Sequence, residues 1–423
     1  MKYIRLLSQT VASLVLAIAV SVSLSEDAQA SLMGSPVNSY EVTNTVSDDL
    51  DAQLQNALDQ AVGGDIPGAS FAIVSPRGTW FGASGVSNLQ TGTEVVLEDR
   101  FQIGSITKTF VATTILQLVE EGRLSLDDTL DQLLSPSVVS AIPNHESITV
   151  RQLLNHTSGL SDYLDPLFVQ AQTNIGVFFN DWQPEELVSF IYGQDPLFEP
   201  GESWAYSSTN YILLGMIAES VTNSNIASEI RSRILEPLDL DDTFFANEET
   251  IPGGFVNGYW DFDNNGSLND TTPANMSWAW AAGAMVSNTQ DLVRFMEALL
   301  IDEELLEPES IEQMLTFVNG GASENYAGYG LGIGRLESLG RLWYGHRGQT
   351  LGYRSNLFYS PVEDIIYVEL INSVTDRNIS NPIFTVWRNA VDPTPSVPEP
   401  AMIPGLLSLL GAGLFLKWQR RHP

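Results

Sequence analysis

The chain has 423 residues, of which 43% are hydrophobic. This composition can fill one large core or two fused ones, which excludes a disordered protein or a small disulfide-stapled module. The absence of cysteine excludes disulfides, thiol redox chemistry and thiolate metal sites. The net charge of −33 at pH 7 gives a surface that repels nucleic acid and anionic lipid, so no nucleic-acid partner is expected.

The first thirty residues have the pattern of a secretory signal peptide. A basic start precedes an apolar run at 11–24, and Ala28-Gln29-Ala30 supplies the small residues that a signal peptidase requires. We therefore predict an exported protein with a signal peptide at residues 1–30. A polar linker follows at 31–46, and the folded domain is predicted at 47–390.

The domain is predicted to begin with a helix and a β-hairpin. Ser47 can cap a helix whose apolar positions recur at helical spacing, at Leu50, Leu54, Ala57, Leu58 and Ala61. Two strand-like runs follow at 69–74 and 79–83. The segment Ser75-Pro76-Arg77-Gly78 between them has the composition of a tight turn.

The rest of the domain has helical patterns in its middle and strand patterns at its end. The predicted helices are 105–121, 149–154, 184–191, 207–220, 227–235 and 291–301, and the predicted strands are 328–336, 342–345, 353–359 and 365–371. This order predicts an α/β (α+β) fold. Its centre is one antiparallel sheet built from both chain ends and flanked by helices, with an inserted, mostly helical region.

A serine and a lysine at the start of the helix predicted at 105–121 suggest nucleophilic catalysis. Ser105 begins this helix and Lys108 follows three positions later, so the two side chains share a helix face. The helix N-terminus favours negative charge on the serine oxygen. Burial among apolar neighbours favours the neutral amine, which can act as a base. We interpret Ser105 as the nucleophile and Lys108 as its base.

The alternative is that Lys108 lies at the surface and covers its helix with its apolar stem. The chain contains only three lysines, Lys2, Lys108 and Lys417, and the first and last belong to the end segments. A chain with so few lysines has little use for one at the surface, which favours the catalytic interpretation.

Two later segments offer what acyl transfer needs: a proton donor, and a stretch of backbone that a substrate can approach closely. Tyr206 and Ser208 lie at the start of a predicted helix, where the serine can equally be a cap and the tyrosine a buried aromatic. His346 and Gly348 lie at the end of a predicted strand, where the glycine allows a substrate to approach the backbone.

Taken in order, these segments resemble the motifs of a known family. Ser105-x-x-Lys108, Tyr206-x-Ser208 and His346-x-Gly348 resemble the three motifs of serine β-lactamases and D-alanyl-D-alanine carboxypeptidases, of the class C and serine DD-peptidase type. Further similar stretches lie at 153–160, 200–207, 282–287 and 345–353, so the resemblance covers most of the domain. It implies a β-lactamase/transpeptidase-like fold.

The resemblance also implies catalytic roles. Lys108 takes the proton of Ser105, whose oxygen attacks a carbonyl carbon, and the backbone amides of Ser105 and Gln349 hold the oxyanion. Tyr206 passes a proton to the leaving group and later activates the deacylating water. Gly348 and Gln349 contact the substrate.

On the substrate-binding side, the resemblance implies that His346 completes the hydrogen-bond network. When charged, or aided by Arg347 or Arg354, it faces a substrate carboxylate, while Ser208 contacts the acyl amide. Many relatives have Asn at the position of Ser208 and Lys at that of His346. Both departures weaken the case for an efficient β-lactamase and leave room for an esterase or a D-amino-acid amidase.

The C-terminus has the pattern of a sorting signal. A proline-rich linker at 391–400 contains Val397-Pro398-Glu399-Pro400, and an apolar segment at 401–416 precedes a basic end. This arrangement resembles a PEP-CTERM signal, which implies an exosortase-type processing enzyme as partner and transient membrane contact. A plain C-terminal anchor is the alternative. Either one places the domain outside the cytoplasm, in the periplasm or at the cell surface.

One acidic segment resembles the opening of a calcium-binding loop. Asp261-x-Asp263-x-Asn265-Gly266 has alternating oxygen ligands, but Thr272 at the twelfth position cannot supply a bidentate carboxylate. Asn265-Gly266 equally fits a tight hairpin turn, which we favour, with calcium as the open alternative. His145 and His156 lack metal-ligand spacing, and we read His156 as a structural hydrogen-bonding residue. We expect neither a metal nor a cofactor.

Together these observations predict an exported serine hydrolase that forms an acyl-enzyme on Ser105. Its substrate is expected to be a peptide or ester with a carboxylate near the scissile bond. D-alanyl-D-alanine carboxypeptidase-like activity is the first candidate, a carboxylesterase or D-amino-acid amidase the second, and β-lactam turnover the third. A catalytically silent cell-surface binding protein is the alternative of another class, against which the retained Ser105, Lys108 and Tyr206 argue. The oligomeric state stays open.

Overall fold

The computed structural model describes residues 45–263, 265–319, 326–338 and 341–391. The predicted signal peptide, nearly all of the 31–46 linker, the proline-rich linker beyond residue 391 and the PEP-CTERM-like segment lie outside these residues, so those predictions stay predictions. Among the described residues, no helix is long and apolar enough to cross a bilayer.

A nine-stranded antiparallel sheet forms the centre of the domain, in the order β3-β2-β1-β14-β13-β12-β11-β10-β9. The strands, numbered along the chain, are β1 (Gly68–Ser75), β2 (Gly78–Asn88), β3 (Thr93–Glu94), β4 (Phe101–Gln102), β5 (Phe244–Phe245), β6 (Tyr259–Trp260), β7 (Asn269–Asp270), β8 (Met285–Ser287), β9 (Val318–Asn319), β10 (Gly328–Tyr329), β11 (Gly334–Ser338), β12 (Arg341–Gln349), β13 (Arg354–Ser360) and β14 (Ile365–Ile371). β1 pairs with β14, so Phe71 lies opposite Glu369. The predicted sheet from both ends of the domain is therefore confirmed.

Helices cover both faces of the sheet, and most of them come from the part of the chain between β4 and β9. They are α1 (Asp48–Ala61), α2 (Thr107–Glu120), α3 (Leu130–Leu133), α4 (Pro136–Val139), α5 (Val150–Leu154), α6 (Leu164–Ala171), α7 (Pro184–Ser189), α8 (Thr209–Thr222), α9 (Ile226–Ile230), α10 (Thr289–Leu300), α11 (Pro308–Met314) and α12 (Ser380–Val391). Short 3-10 turns lie at Gly104–Ile106, Ile175–Phe179, Met276–Trp278 and Trp280–Ala282, and a π turn at Arg231–Leu235. The predicted mixed fold with an inserted helical region is confirmed.

The first helix shows how the sequence determines its own boundary and packing. The Ser47 hydroxyl accepts a hydrogen bond from the Leu50 amide at 3.4 Å, and three aspartates occupy the first turn, where the helix dipole favours them. Leu50, Leu54 and Leu58 are buried on one face. This face packs with α12 on what we call the outer face of the sheet.

The helix that follows Ser105 lies inside the core. Eleven of the 14 residues of α2 are buried, which is the pattern of a helix surrounded on all sides by protein. Phe110 stacks on Phe295 with ring centroids 3.7 Å apart, and α8 packs alongside. Lys108 therefore lies in the interior rather than at the surface, and the surface alternative for it is wrong.

Besides several short helices and strands that the patterns do not predict, the structure differs from the predicted elements in three places. The strand predicted at 328–336 is two strands, because Gly332 has a φ of +79° in the turn between them. The strand predicted at 342–345 continues to Gln349. Neither α12 nor the small sheet β4-β8-β5 was predicted. The apolar positions of α12, Ile383, Phe384 and Trp387, are buried against the outer face.

Candidate active site

Ser105 and Lys108 point to the same side of the chain and are in contact. Ser105 lies in the 3-10 turn that leads into α2. The Lys108 Nζ atom is 3.1 Å from the Ser105 Oγ atom and 2.6 Å from the carbonyl oxygen of Ala282. Lys108 has 0% exposure. The amine is thus held within reach of the hydroxyl proton and away from bulk water.

Aromatic rings surround this amine. Its Nζ atom lies 5.2 Å from the centroid of the Tyr206 ring and 5.5 Å from that of Tyr211. Loss of solvation favours the neutral amine, which is the form that can accept a proton. The ring faces and the Ala282 carbonyl stabilise the ammonium once it has formed. The pocket can therefore accommodate both protonation states that a base passes through.

Two glycines allow β12 to lie directly against the nucleophile turn. A Cβ atom on Gly104 would lie 2.5 Å from the Gln349 amide nitrogen, and one on Gly348 would lie 1.9 Å from the Ile103 carbonyl oxygen. Gly104 also has a φ of +51°, which side-chain-bearing residues rarely adopt. Glycine at both positions brings the backbone of Ser105 and Gln349 close together.

The Gln349 N–H group points toward this contact. The Thr350 amide donates to the Tyr353 carbonyl across the β12–β13 hairpin at 3.1 Å. Successive amides of a strand point to opposite sides, so the Gln349 N–H points away from β13. On that side β11 pairs with β12 only as far as Gly345. The amides of Ser105 and Gln349 can thus serve as a pair of oxyanion donors.

The Tyr206 phenol lies beside the nucleophile in its protonated form. Burial raises the pKa of Tyr206 well above its usual value and Tyr326 adds to the rise, while a hydrogen bond with Ser105 opposes it. A phenol with a raised pKa stays protonated at neutral pH, so it has a proton to donate and is not available as a base. This protonation state suits a proton donor to a leaving group.

His346 is buried and neutral. Its Nδ1 atom lies 2.5 Å from the Arg347 carbonyl oxygen, which can only accept, so Nδ1 carries the proton. Its Nε2 atom then accepts from the Tyr329 hydroxyl at 2.7 Å. Burial first and the nearby Lys108 second lower the pKa of His346 to about 3. The expectation of a charged His346 facing a carboxylate is therefore wrong, although its place in the hydrogen-bond network stands.

The two arginines differ in what they contact. Arg354 pairs with the buried Glu369 at 3.3 Å and donates to the Arg377 carbonyl at 2.6 Å, so its charge is already compensated. Arg347 is exposed and has no acidic partner among the described residues. Of Arg347 and Arg354, only Arg347 therefore has a charge that no acidic side chain among the described residues compensates.

A cavity of about 600 Å³ brings most of the predicted site together. Ser105, Tyr206, His346, Gly348, Gln349 and Arg354 all line it. Lys108 lies buried in contact with Ser105. Ser208 is buried at the start of α8, its amide donates to Asp162 at 3.0 Å, and it does not line the cavity. Its contact with an acyl amide stays a prediction.

Sequence reasoning missed several residues of this site. Tyr329 donates to His346 and lies in no segment that the sequence analysis connects with function. The Ala282 carbonyl accepts from Lys108 and lies in the family-like stretch 282–287, to which no role was assigned. His156 was read as structural, and its Nδ1 atom accepts from the Ser207 amide at 3.2 Å. The centroid of its ring also lies 4.3 Å from that of the Tyr206 ring, so His156 packs directly against the proton donor.

The acidic segment that resembled a calcium loop forms a turn. Asp261 accepts hydrogen bonds from the amides of Asn265 at 3.0 Å and Gly266 at 2.9 Å. Its carboxylate is thus used to close the turn. Among the described residues, no group of acidic or histidine side chains is arranged to hold a metal ion.

The fold and the Ser105–Lys108–Tyr206 geometry define a serine hydrolase of the β-lactamase/transpeptidase class. Residues 54–384 match the family profile described as Beta-lactamase, and the chain belongs to this family. It is 30% identical over 302 residues to penicillin-binding protein 4* of Bacillus subtilis, covering 64% of this chain and 63% of that one. It is 28% identical over 262 residues to protein flp of Staphylococcus aureus, covering 60% and 49%. The chain thus spans about half the length of the flp proteins it matches.

Solved structures give the same class. A D-stereospecific amidohydrolase from a Streptomyces species superimposes with a TM-score of 0.69 at 34% identity, covering 79% of this chain and 97% of that one. A D-amino acid amidase from Ochrobactrum anthropi superimposes with a TM-score of 0.71 at 27% identity, covering 81% and 99%.

Proposed function

We propose that this protein hydrolyses an amide or ester through an acyl-enzyme on Ser105. The substrate is a peptide or ester with a carboxylate near the scissile bond, as in a D-alanyl-D-alanine carboxypeptidase. The observation that carries the proposal is the 3.1 Å contact between the Lys108 amine and the Ser105 hydroxyl inside the core. A buried amine aimed at a serine oxygen has no structural purpose that an apolar side chain would not serve better.

In the acylation step, Lys108 accepts the Ser105 proton as the serine oxygen bonds to the carbonyl carbon. The amides of Ser105 and Gln349 hold the resulting oxyanion. When the intermediate collapses, the bond to the leaving atom breaks, and that atom takes a proton from the Tyr206 phenol. The Lys108 ammonium then returns a proton to Tyr206.

In deacylation, a water molecule attacks the acyl carbon and gives a proton to the neutral Lys108 amine. The resemblance assigns this step to Tyr206, but the raised pKa of Tyr206 keeps its phenol protonated, so we assign the step to Lys108. The bond to the Ser105 oxygen breaks and the serine recovers its proton. The products are a carboxylic acid and the free leaving group, with the enzyme unchanged.

Arg347 supports the carboxylate in the proposed substrate. It is exposed, it lines the cavity, and it forms no ion pair with an acidic side chain among the described residues. A guanidinium binds a carboxylate with two parallel hydrogen bonds. The similarity to a D-amino acid amidase and a D-stereospecific amidohydrolase makes a D-configured amide the second candidate substrate.

We place this activity outside the cytoplasm, on the strength of the signal-peptide pattern at 1–30. Processing by an exosortase-type enzyme and transient membrane contact through the C-terminal apolar segment belong to the same proposal. They rest on the sequence pattern alone.

Labelling tests the nucleophile directly. The purified protein is incubated with a fluorescent penicillin and with p-nitrophenyl acetate, and the adduct is located by mass spectrometry. We expect an adduct on Ser105 that disappears in Ser105→Ala and persists in Ser189→Ala, which replaces an exposed serine on α7. An adduct on another residue, or no adduct and no turnover with either reagent, would favour the silent binding protein.

Turnover then ranks the substrates. A peptide ending in D-Ala-D-Ala, the same peptide with its terminal carboxylate amidated, and a D-amino-acid amide are compared by kcat/KM. We expect the free carboxylate to be preferred, and Arg347→Gln to reduce that preference about tenfold or more, because it removes hydrogen bonds to a charged group. Arg77→Gln, at an exposed turn, is the control.

A further inference from the structure

The cavity that contains Ser105 extends well beyond the nucleophile. It occupies about 600 Å³ and continues across the outer face of β12, β13 and β14 to the first turn of α12. Sites for whole organic ligands occupy about 300 to 1,000 Å³, so the space exceeds what an acyl carbonyl and a water molecule need. We call the part beyond Arg347 the outer groove. Asn356, Glu369, Asn378 and Asn381 are among the residues that line it.

A polar row crosses the sheet beneath the outer groove. Arg347, Asn356 and Glu369 lie opposite one another on three adjacent strands. In the next row Phe358 lies opposite Tyr367, and this row packs against α12. Polar side chains on a face that helices otherwise cover are unfavourable unless they are hydrogen-bonded or solvated. Asn356 and Glu369 in this row bond to each other, while the Arg347 side chain is exposed, so the row is a polar break in the core at the floor of the cavity.

The outer groove begins at the end of the cavity where the proton donor lies. Tyr206 and Tyr326 both line the cavity, and the Tyr326 hydroxyl accepts from the Arg347 amide at 3.1 Å. The Tyr206 phenol delivers its proton to the leaving atom in the proposed reaction. The part of a substrate that continues from that atom past Arg347 is the leaving group, so the outer groove extends from the leaving-group side.

The chemistry of the outer groove fits a neutral polar chain. Arg377 is paired with Asp65 at 2.8 Å, and Arg354 is paired with Glu369, so these charges are compensated. The Asn381 side chain offers both donors and an acceptor, which are the groups that peptide bonds require. Asn356 already donates to Glu369 at 2.8 Å and offers its amide oxygen, while the Asn378 oxygen accepts from the Asn381 amide at 2.8 Å and leaves the Asn378 donors for a ligand. The outer groove thus offers hydrogen bonds along its length, together with the exposed carboxylate of Asp376, which forms no ion pair among the described residues.

We propose that the outer groove binds a peptide leaving group of two or more residues, so that this hydrolase releases short peptides in preference to ammonia or a single amino acid. This rests on the proposed acyl-enzyme on Ser105, and it replaces the single amino acid that a D-alanyl-D-alanine carboxypeptidase releases with a short peptide. The bond changes are those of the acylation step. The Ser105 oxygen bonds to the acyl carbon, the C–N bond breaks, and the released peptide nitrogen takes the proton of the Tyr206 phenol. Arg347 at the entrance meets the carboxylate of a short leaving peptide or a backbone carbonyl of a longer one.

A substrate series tests the proposal. Three substrates share an acetyl-D-alanyl acyl group and carry as leaving group ammonia, D-alanine or the tripeptide D-alanyl-glycyl-glycine. We expect kcat/KM for the tripeptide to exceed that for D-alanine by about tenfold or more, the effect of one or two net hydrogen bonds. Asn381→Trp fills the outer groove and brings this ratio close to one.

The chain offers a matched control on the same helix. Asn389 is also an exposed asparagine of α12 but does not line the cavity, and Asn389→Trp is expected to keep the wild-type ratio. Ser338→Trp, from the exposed end of β11 on another wall of the cavity, repeats the filling if Asn381→Trp does not fold.

The outcomes separate this inference from the proposed function. A burst of p-nitrophenol from p-nitrophenyl acetate reports Ser105 acylation independently of the leaving peptide. If the burst is present, three results overturn the inference alone. They are a wild-type ratio near one, a ratio that the filled variants leave unchanged, and no cleavage of any of the three amides. No burst and no cleavage overturns the proposed function and the inference with it.

Discussion

The two faces of the sheet at β12 to β14 contain polar clusters of opposite kinds. On the outer face, Glu369 is 1% exposed and is bonded by the Arg354 guanidinium, by Asn356 at 2.8 Å and by the Ser380 hydroxyl. On the inner face, His346 has a pKa of about 3 and bonds to a tyrosine hydroxyl and a carbonyl. The outer cluster matches a charge with a charge. The inner cluster keeps its imidazole and phenols neutral around one amine.

The outer cluster can stabilise the fold, whereas the inner cluster can take part in proton transfer. A compensated ion pair holds its proton distribution fixed, because moving a proton would leave a buried charge unpaired. A desolvated amine among neutral hydroxyl groups can exchange a proton with them, since both of its states have partners. The position of Lys108 among hydroxyls, a carbonyl and rings is therefore what makes the inner cluster reactive. The predictions below test whether the two clusters behave in these two ways.

The largest effect is expected from the inner cluster. Tyr206→Phe retains the ring that packs on His156 and removes only the hydroxyl. We expect kcat/KM to fall about 10²- to 10⁴-fold, the range for loss of a general acid, while the melting temperature changes little. Steady-state kinetics and thermal denaturation of the same preparation measure both. A variant that retains more than a third of the activity would remove Tyr206 from the proton path.

The outer cluster is expected to show the reverse pattern, with its effect on stability. Glu369→Gln keeps the side-chain shape and leaves the Arg354 guanidinium without its counter-charge. We expect a loss of about 3 kcal/mol in the free energy of unfolding, the scale for breaking a buried pair. Urea denaturation measures it, with Glu363→Gln at a more exposed pair with Arg341 as the control. Equal losses in the two variants would contradict a specially compensated outer cluster.

A smaller, pH-dependent effect is expected at a third polar cluster, near the start of α10. Burial first and the neighbouring Asp242 raise the pKa of Asp291 from 3.8 to about 7, although Thr243 donates to it at 2.7 Å. The folded state thus binds this proton more tightly than the unfolded state does. Stability is lost as pH rises from about 4 to 7, and the penalty is fully present above pH 7.

Asp291→Asn removes that penalty and keeps an oxygen for the Thr243 hydroxyl. We expect the variant to be more stable than the wild type at pH 8 and of equal stability near pH 4. Chemical denaturation at the two pH values measures the difference. A gain of equal size at both would show that the carboxyl group is not ionising in this range.

The smallest expected effect is an absence of titration. The pKa of His156 lies well below its usual value because of burial, and that of His346 is about 3. Neither imidazole changes charge between pH 5 and 8. We therefore expect His346→Gln to remove no inflection from the pH profile of kcat/KM near pH 6.5. A histidine-dependent limb in that interval would mean that the inner cluster does not keep its imidazoles neutral.

The sequence anticipated the sheet and the reactive pair because both depend on local spacing. Short strand-like runs at 69–74 and 365–371 predicted β1 and β14, and the three-residue step from Ser105 to Lys108 places both on one helix face. What the sequence could not supply depends on distant parts of the chain meeting. The Ala282 carbonyl on Lys108 and the Tyr329 hydroxyl on His346 are contacts between segments far apart in sequence.

The error over His346 has the same origin. A histidine at a strand end is compatible with either charge state, and only its surroundings decide between them. Burial beside Lys108 lowers its pKa, which is why we propose the exposed Arg347 for the carboxylate-binding role. The outer groove likewise depends on α12, a helix that the sequence analysis did not predict.

The most direct test of the central claim is the rate at which Ser105 is acylated when the amine is removed. Lys108→Met replaces the amine with an apolar chain of similar length in a site that is already buried. With p-nitrophenyl acetate in rapid-mixing experiments, we expect acylation to slow about 10²- to 10⁴-fold while the circular dichroism spectrum and the melting temperature are retained. A folded Lys108→Met protein that acylates at the wild-type rate would show that this amine is not the base that activates Ser105.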